Sequence, residues 1–396
     1  MPIPRFLSLA LLAAAACAAA TPAFAKWPQE GYSAAKSQAN TDEATLTARN
    51  VAGLQLKWQR QLGQFYASAV TQAGPQLLAC SNLYDVSALQ LAGGASKWDQ
   101  LAGVGNCGTP ATAGGQTFLV SSALSPNYRN VVSALDTASG HVLWETDLMA
   151  SSADMGLNAD AALSQGRLYV SSNRGQVVAL DTATGQQAWR ATTGGNGVMN
   201  NDPAVAGGRV FVSTWLECCG NGPRKLHAYD AETGVELWAT EVAASNMQRP
   251  AQPLGDKVVV TTDSGLVNAY DAATGALSWS RTVGFVGTAM ALHGQAVYVP
   301  VGTSVLALDA ATGNTLWTRP LPSGQGAISN LVWANGLVYL LAQNASSETA
   351  VVALKAGNGK LVASVPVSIS GSYARLSLSG GMVYISANGT LSALGL

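Results

Sequence analysis

The stretch that decides the fold is Ala179-Leu180-Asp181-Thr182-Ala183-Thr184-Gly185-Gln186-Gln187-Ala188-Trp189. It is an eleven-residue phrase with Gly at its seventh position and Trp at its last, and close copies run from Ala134 to Trp144, Ala228 to Trp238, Ala269 to Trp279 and Ala307 to Trp317. Self-similarity at a near-constant period marks a repeat architecture. Weaker copies flank this block. Ala88 to Trp98 keeps Gly94 and the Trp, Ala353 to Ala363 keeps Gly359 but has lost the Trp, and Leu54-Gln55-Leu56-Lys57-Trp58 supplies only the last strand of the phrase. The terminal positions, 58, 98, 144, 189, 238, 279, 317 and 363, lie 38 to 49 residues apart. That period suits one four-stranded propeller blade.

Each phrase has a local physical reading. Val177 to Leu180 forms a strand, Asp181 to Gly185 the turn, and Gln187 to Ala191 the returning strand. An Asp side chain accepts turn amides, and Gly enters φ > 0 without a Cβ clash. Asp136, Asp181, Asp230, Asp271 and Asp309 are therefore assigned to turns, with Gly140, Gly185, Gly234, Gly275 and Gly313 completing them. Trp58, Trp98, Trp144, Trp189, Trp238, Trp279 and Trp317 are assigned to packing between neighbouring blades. A second alternating run lies upstream of each phrase, as in Arg167 to Ser172 and Lys257 to Thr261, preceded by an inner strand such as Asp202 to Ala206.

The chain ends with Met382 to Ser386 and Gly389 to Leu394, second and third strands without a fourth. The unpartnered segment 54–62 supplies it, which closes the ring and removes open edges. The expected fold is all-β, an eight-bladed β-propeller of four-stranded antiparallel blades spanning 54–396 as a single domain, with 26–53 as an N-terminal lead-in.

Residues 1–25 read as a secretory signal peptide: Arg5, an apolar stretch from Phe6 to Ala20, then Thr21-Pro22-Ala23-Phe24-Ala25 with an Ala-x-Ala cleavage site. Lipid anchoring at Cys17 is the competing reading, and it is weakened by Ala14 standing three residues before it, where an aliphatic side chain is usual. The expected protein is exported, periplasmic or secreted. No later apolar stretch reaches the roughly 20 residues of a membrane span. Charged residues make up 11% of the chain and the formal net charge is −1, which leaves no basic stripe for nucleic acid.

Four cysteines remain outside the signal: Cys80, Cys107, Cys218 and Cys219. An even number in an oxidising compartment reads as disulfides. Cys80 ends a second strand and Cys107 precedes an inner strand, so the preferred pairing joins these two and leaves Cys218 with Cys219, although four cysteines allow three connectivities. The loops entering the inner strands, at 154–160, 196–202, 246–249 and 324–330, are rich in Asn, Asp, Gly and Met and gather on one face. Asn, Asp and Gly are also good turn formers. As a set, Asn158, Asn200, Asn201, Asp202 and Arg249 form the candidate ligand site. His141, His227 and His293 fall at unrelated repeat positions, and neither a nucleophile elbow nor a phosphate-binding loop is present. Trp215 and Trp333 could stack on a sugar ring or belong to the core.

The phrase Ala-Leu-Asp-x-x-Thr-Gly-x-x-x-Trp, with the opening Trp27-Pro28-Gln29 and the run from Leu46 to Trp58, resembles the repeat of the pyrroloquinoline quinone (PQQ) dehydrogenase family and its non-enzymatic relatives. The resemblance implies the propeller fold. It also implies a PQQ and calcium site, with the vicinal pair Cys218 and Cys219 beside the cofactor. The family's calcium-binding Glu and Asn and its catalytic Asp segments have no convincing counterpart here, so no catalytic or metal-ligating residue is assigned. Blade count and length also resemble the propeller lipoproteins that assist outer-membrane protein assembly. The functional expectation is a non-catalytic binding or scaffold propeller, monomeric, with an envelope or extracellular protein partner or a small polar ligand. The alternative is a quinoprotein oxidoreductase acting on alcohols or sugars.

Overall fold

The computed structural model describes residues 27–63, 67–81, 85–101, 106–122, 130–148, 160–194, 198–216, 224–242, 249–286, 288–369 and 374–396. The strands form eight sheets, each built on a four-stranded antiparallel blade. Blade 3 shows the pattern: Ala162–Ser164 is innermost, followed outward by Arg167–Ser171, Gln176–Asp181 and Gln187–Thr192. The inner strands of the other blades are Thr71–Ala73, Ala111–Ala113, Ala204–Ala206, Gln252–Leu254, Ala291–His293, Val332–Ala334 and Arg375–Ser379, for blades 1, 2, 4, 5, 6, 7 and 8. Blade 8 takes its outer strand, Gln55–Gln61, from the N-terminal side and pairs it with Thr390–Gly395. The ring thus closes as the unpartnered strands require.

The sequence phrase maps onto one structural device. In blade 3, Asp181 Oδ1 accepts the amides of Ala183 and Thr184 and the Thr184 hydroxyl. These bonds, the hydroxyl foremost, hold the Asp181 carboxyl below the usual carboxylate range. Ala179 sits opposite Trp189 across the two outer strands, with a β-bulge immediately after Ala179. The Trp189 ring covers Gly234 of blade 4, where a Cβ would meet the ring at 2.5 Å, and its indole Nε1 donates to Ala231 O at 3.0 Å. Trp58, Trp98, Trp144, Trp238, Trp279 and Trp317 repeat the arrangement on Gly94, Gly140, Gly185, Gly275, Gly313 and Gly359. Ala363 stands where blade 7 would carry its Trp. There the short 3-10 turn Val51–Gly53 packs on the outer strand, and Val51 and Leu54 join Ala363 in one apolar cluster.

Residues 27–46 do more than lead into the ring. They run round the channel, bonding to the inner strand of each blade in turn. Trp27 O accepts the Gln72 amide, Pro28 O the Thr112 amide, and the Gln29 side chain both donates to and accepts from the Leu163 backbone. Ala34 O accepts from Val205, Lys36 O from the Gln252 side chain, Ser37 O from Leu292 and Gln38 O from Trp333. Ala39–Asn40 then pairs in parallel with Val332–Ala334, Asn40 Nδ2 donates to Leu378 O, and Glu43 Oε2 accepts the Gly381 amide. Ascending residues thus meet ascending blades, from the first to the eighth.

Candidate functional site

Backbone entering an inner strand must turn in from the outer strand of the preceding blade, so the polar residues of these loops converge where the channel opens. Asp160 of blade 3, Asn201 and Asp202 of blade 4, Arg249 and Pro250 of blade 5, Thr288 and Ala289 of blade 6, Ala327, Ile328 and Asn330 of blade 7, and Arg375 of blade 8 line one cavity of about 460 Å³. Gln252, Ala374 and the belt residues Glu30, Lys36 and Gln38 also line it.

The charges interlock. Asp160 accepts the Thr109 amide at 2.7 Å through one oxygen and Arg375 Nη1 at 3.1 Å through the other. Burial alone would raise the Asp160 carboxyl, but Arg375, Lys36 and the Thr109 amide together outweigh it and hold the group below its ordinary value. Lys36 is buried and turns its ammonium onto the backbone carbonyls of Asp160 and Ala161, at 3.2 and 3.1 Å. Glu30 accepts the Gln38 amide at 3.2 Å and lies 3.7 Å from Arg375, and burial pushes its carboxyl up. Asp202, partly open to the cavity, accepts the Asp160 amide at 3.2 Å. Burial, reinforced by the negative charge of Asp160, pushes its carboxyl up to about 7.

Asn201, Asp202 and Arg249, from the site read in the sequence, come together in this lining. Asn200 lies outside it: its side chain bridges Thr193 and the Gln176 carbonyl. Asn158, Cys218 and Cys219 lie outside the described residues. Cys80 and Cys107 form the preferred disulfide, joining the second strand of blade 1 to a short strand on blade 2. Trp333 is partly buried and stacks on His293 with ring centroids 3.4 Å apart, while Trp215 is partly buried within its strand. Sequence reasoning missed Glu30, Lys36, Gln38 and Arg375. The first three carry no repeat signal, because the belt is not a repeat. Arg375 stands at the start of the blade whose phrase is split between the two chain ends.

PQQ is a planar, fused-ring tricarboxylate. The described lining offers no aromatic ring to stack on it, and three acidic side chains share the cavity with three basic ones. Among the described residues no group of three or more His, Cys, Asp or Glu is placed to hold a metal ion. The described residues therefore do not fit that cofactor. Nor is any helix among them long and apolar enough to cross a membrane.

Known proteins share this architecture. The chain is 27% identical over 257 residues to the outer membrane protein assembly factor BamB of Moranella endobia, covering 59% of this chain and 62% of that protein. It thus spans about three-fifths of the length of the curated relatives it matches first. The solved BamB of Moraxella catarrhalis superposes with a TM-score of 0.63 at 19% identity, covering 87% of this chain and 98% of that one. The quinohemoprotein alcohol dehydrogenase of Comamonas testosteroni gives a TM-score of 0.75 at 13% identity, covering 93% of this chain and 80% of that one, a likeness of fold. The family model described as outer membrane protein assembly factor BamB matches residues 42–147, 128–283 and 203–396, and the chain belongs to that family of PQQ-type repeat propellers.

Proposed function

We propose that the chain is a non-catalytic binding or scaffold propeller, exported by the signal at 1–25 and working from Lys26 onward in the cell envelope or outside the cell, where it engages a protein partner. The observation that carries this reading is the mutual engagement of four of the cavity's ionisable groups. Asp160, Arg375, Lys36 and Glu30 are held by one another and by backbone groups, fastening the belt to the blades. Groups fixed in this way hold a shape. Family membership supports the same reading.

Cross-linking the tagged protein in envelope preparations tests it. Capture of a discrete envelope partner is the expected result, and a monomer that captures none overturns the proposal. Titration with PQQ and calcium tests the oxidoreductase alternative. Stoichiometric binding, with dye reduction lost on replacing Cys218 and Cys219 by Ser, would favour the enzyme.

A further inference from the structure

The cavity at the channel mouth has features beyond those that fasten the belt. With Asp202 ionised, the described ionisable lining balances three acids, Glu30, Asp160 and Asp202, against three bases, Lys36, Arg249 and Arg375. A ligand of one sign would upset that balance in a partly desolvated site, whereas a ligand carrying both signs preserves it. The acids differ in what they hold. Asp160 accepts an amide and a guanidinium, but Asp202 accepts only the Asp160 amide at 3.2 Å among the described residues. An ionised carboxylate has about four acceptor sites, so Asp202 keeps capacity for a donor in the cavity. On the next blade Arg249 contributes a forked guanidinium to the same lining.

Blades 6 and 7 complete the lining with Ala289, Ala327 and Ile328, an apolar patch suited to a short aliphatic group. Beside them the Thr288 hydroxyl is buried and, among the described residues, has no hydrogen-bond partner. A buried hydroxyl left unpaired is costly, and a ligand oxygen would satisfy it. The volume, about 460 Å³, lies within the range of small-molecule sites.

We propose that this cavity binds a small aliphatic zwitterion of the amino-acid or dipeptide class, with its ammonium on Asp202, its carboxylate on Arg249 and its side chain against Ala289, Ala327 and Ile328. The proposal rests on the binding reading of the propeller. Asp202 faces Asp160 of blade 3, Arg249 of blade 5, Arg375 of blade 8 and the belt residues Glu30 and Lys36. Because its carboxyl titrates at about 7 in that company, affinity for the ammonium rises between pH 6 and pH 8.

Calorimetric titration of the mature protein with alanyl-valine, its N-acetyl form and its C-terminal amide tests this. The free dipeptide binds, each blocked form binds about tenfold more weakly, and Asp202→Asn weakens the free dipeptide by a similar factor without further weakening the N-acetyl form. Arg249→Gln does the same with respect to the amide, and thermal melts establish that both variants are folded. Equal affinity for free and blocked dipeptides, or no binding by the folded protein to the dipeptide or a panel of aliphatic amino acids, overturns the proposal. An envelope partner captured by a protein that binds no zwitterion removes this inference alone. Zwitterion binding without a captured partner removes the scaffold reading alone.

Discussion

Gly234 shows how one missing Cβ serves the whole ring. Its φ of +73° and the Trp189 ring 2.5 Å from where a Cβ would stand both exclude a larger residue. Gly234→Ala is expected to cost about 2 to 4 kcal/mol in urea unfolding, combining left-handed strain with overpacking. Asp202 offers a test of opposite sign. Its carboxyl is raised from 3.8 to about 7, so the folded state binds more protons than the unfolded one across that window. Stability should therefore fall as pH rises through the window and level off above it. Asp202→Asn should flatten this slope and raise the melting temperature at pH 8 by about 2 °C. The turn Asp and Gly residues were legible in the sequence because each acts within its own turn. The raised carboxyl of Asp202 was not, since it depends on burial in the assembled cavity and on the charge of Asp160 from another blade.

Among the elements, the belt is the one whose role the sequence concealed. Its anchors are side chains and carbonyls spaced irregularly to match the angular steps between blades, and such spacing follows neither a strand nor a helix period. Glu43 is the fastening at the eighth blade. Buried, it accepts the Thr45 and Leu46 amides through one oxygen and the Gly381 amide through the other. Glu43→Ala would strand all three donors and should lower the unfolding free energy by at least about 3 kcal/mol. The denaturant midpoint should fall with the slope unchanged. The blades themselves were readable strand by strand. Their alternation and turns are local, and the lost Trp at Ala363 marked the one junction where the Val51–Gly53 turn fills the gap.

At the scale of the molecule, stability comes from closing a chain of similar units into a ring. The final blade joins Gln55–Gln61 to Thr390–Gly395, and the disulfide between Cys80 and Cys107, 27 residues apart, fastens blades 1 and 2. Replacing both cysteines by Ser should cost about 3 kcal/mol, read as a lower melting temperature. A variant that melts like the parent would show that the hydrophobic junctions suffice. The sequence by itself determined the repeat, the number of blades, the turn and junction residues and the way the ring closes, because each is written in a local pattern or in a strand lacking its partner. Only the tertiary structure decided what occupies the channel. Lys36 and Asp160 lie 124 residues apart, and Glu30 and Arg375 come from opposite ends of the chain. No local pattern encodes such a meeting, which exists only once the ring has brought the inner strands together around the belt.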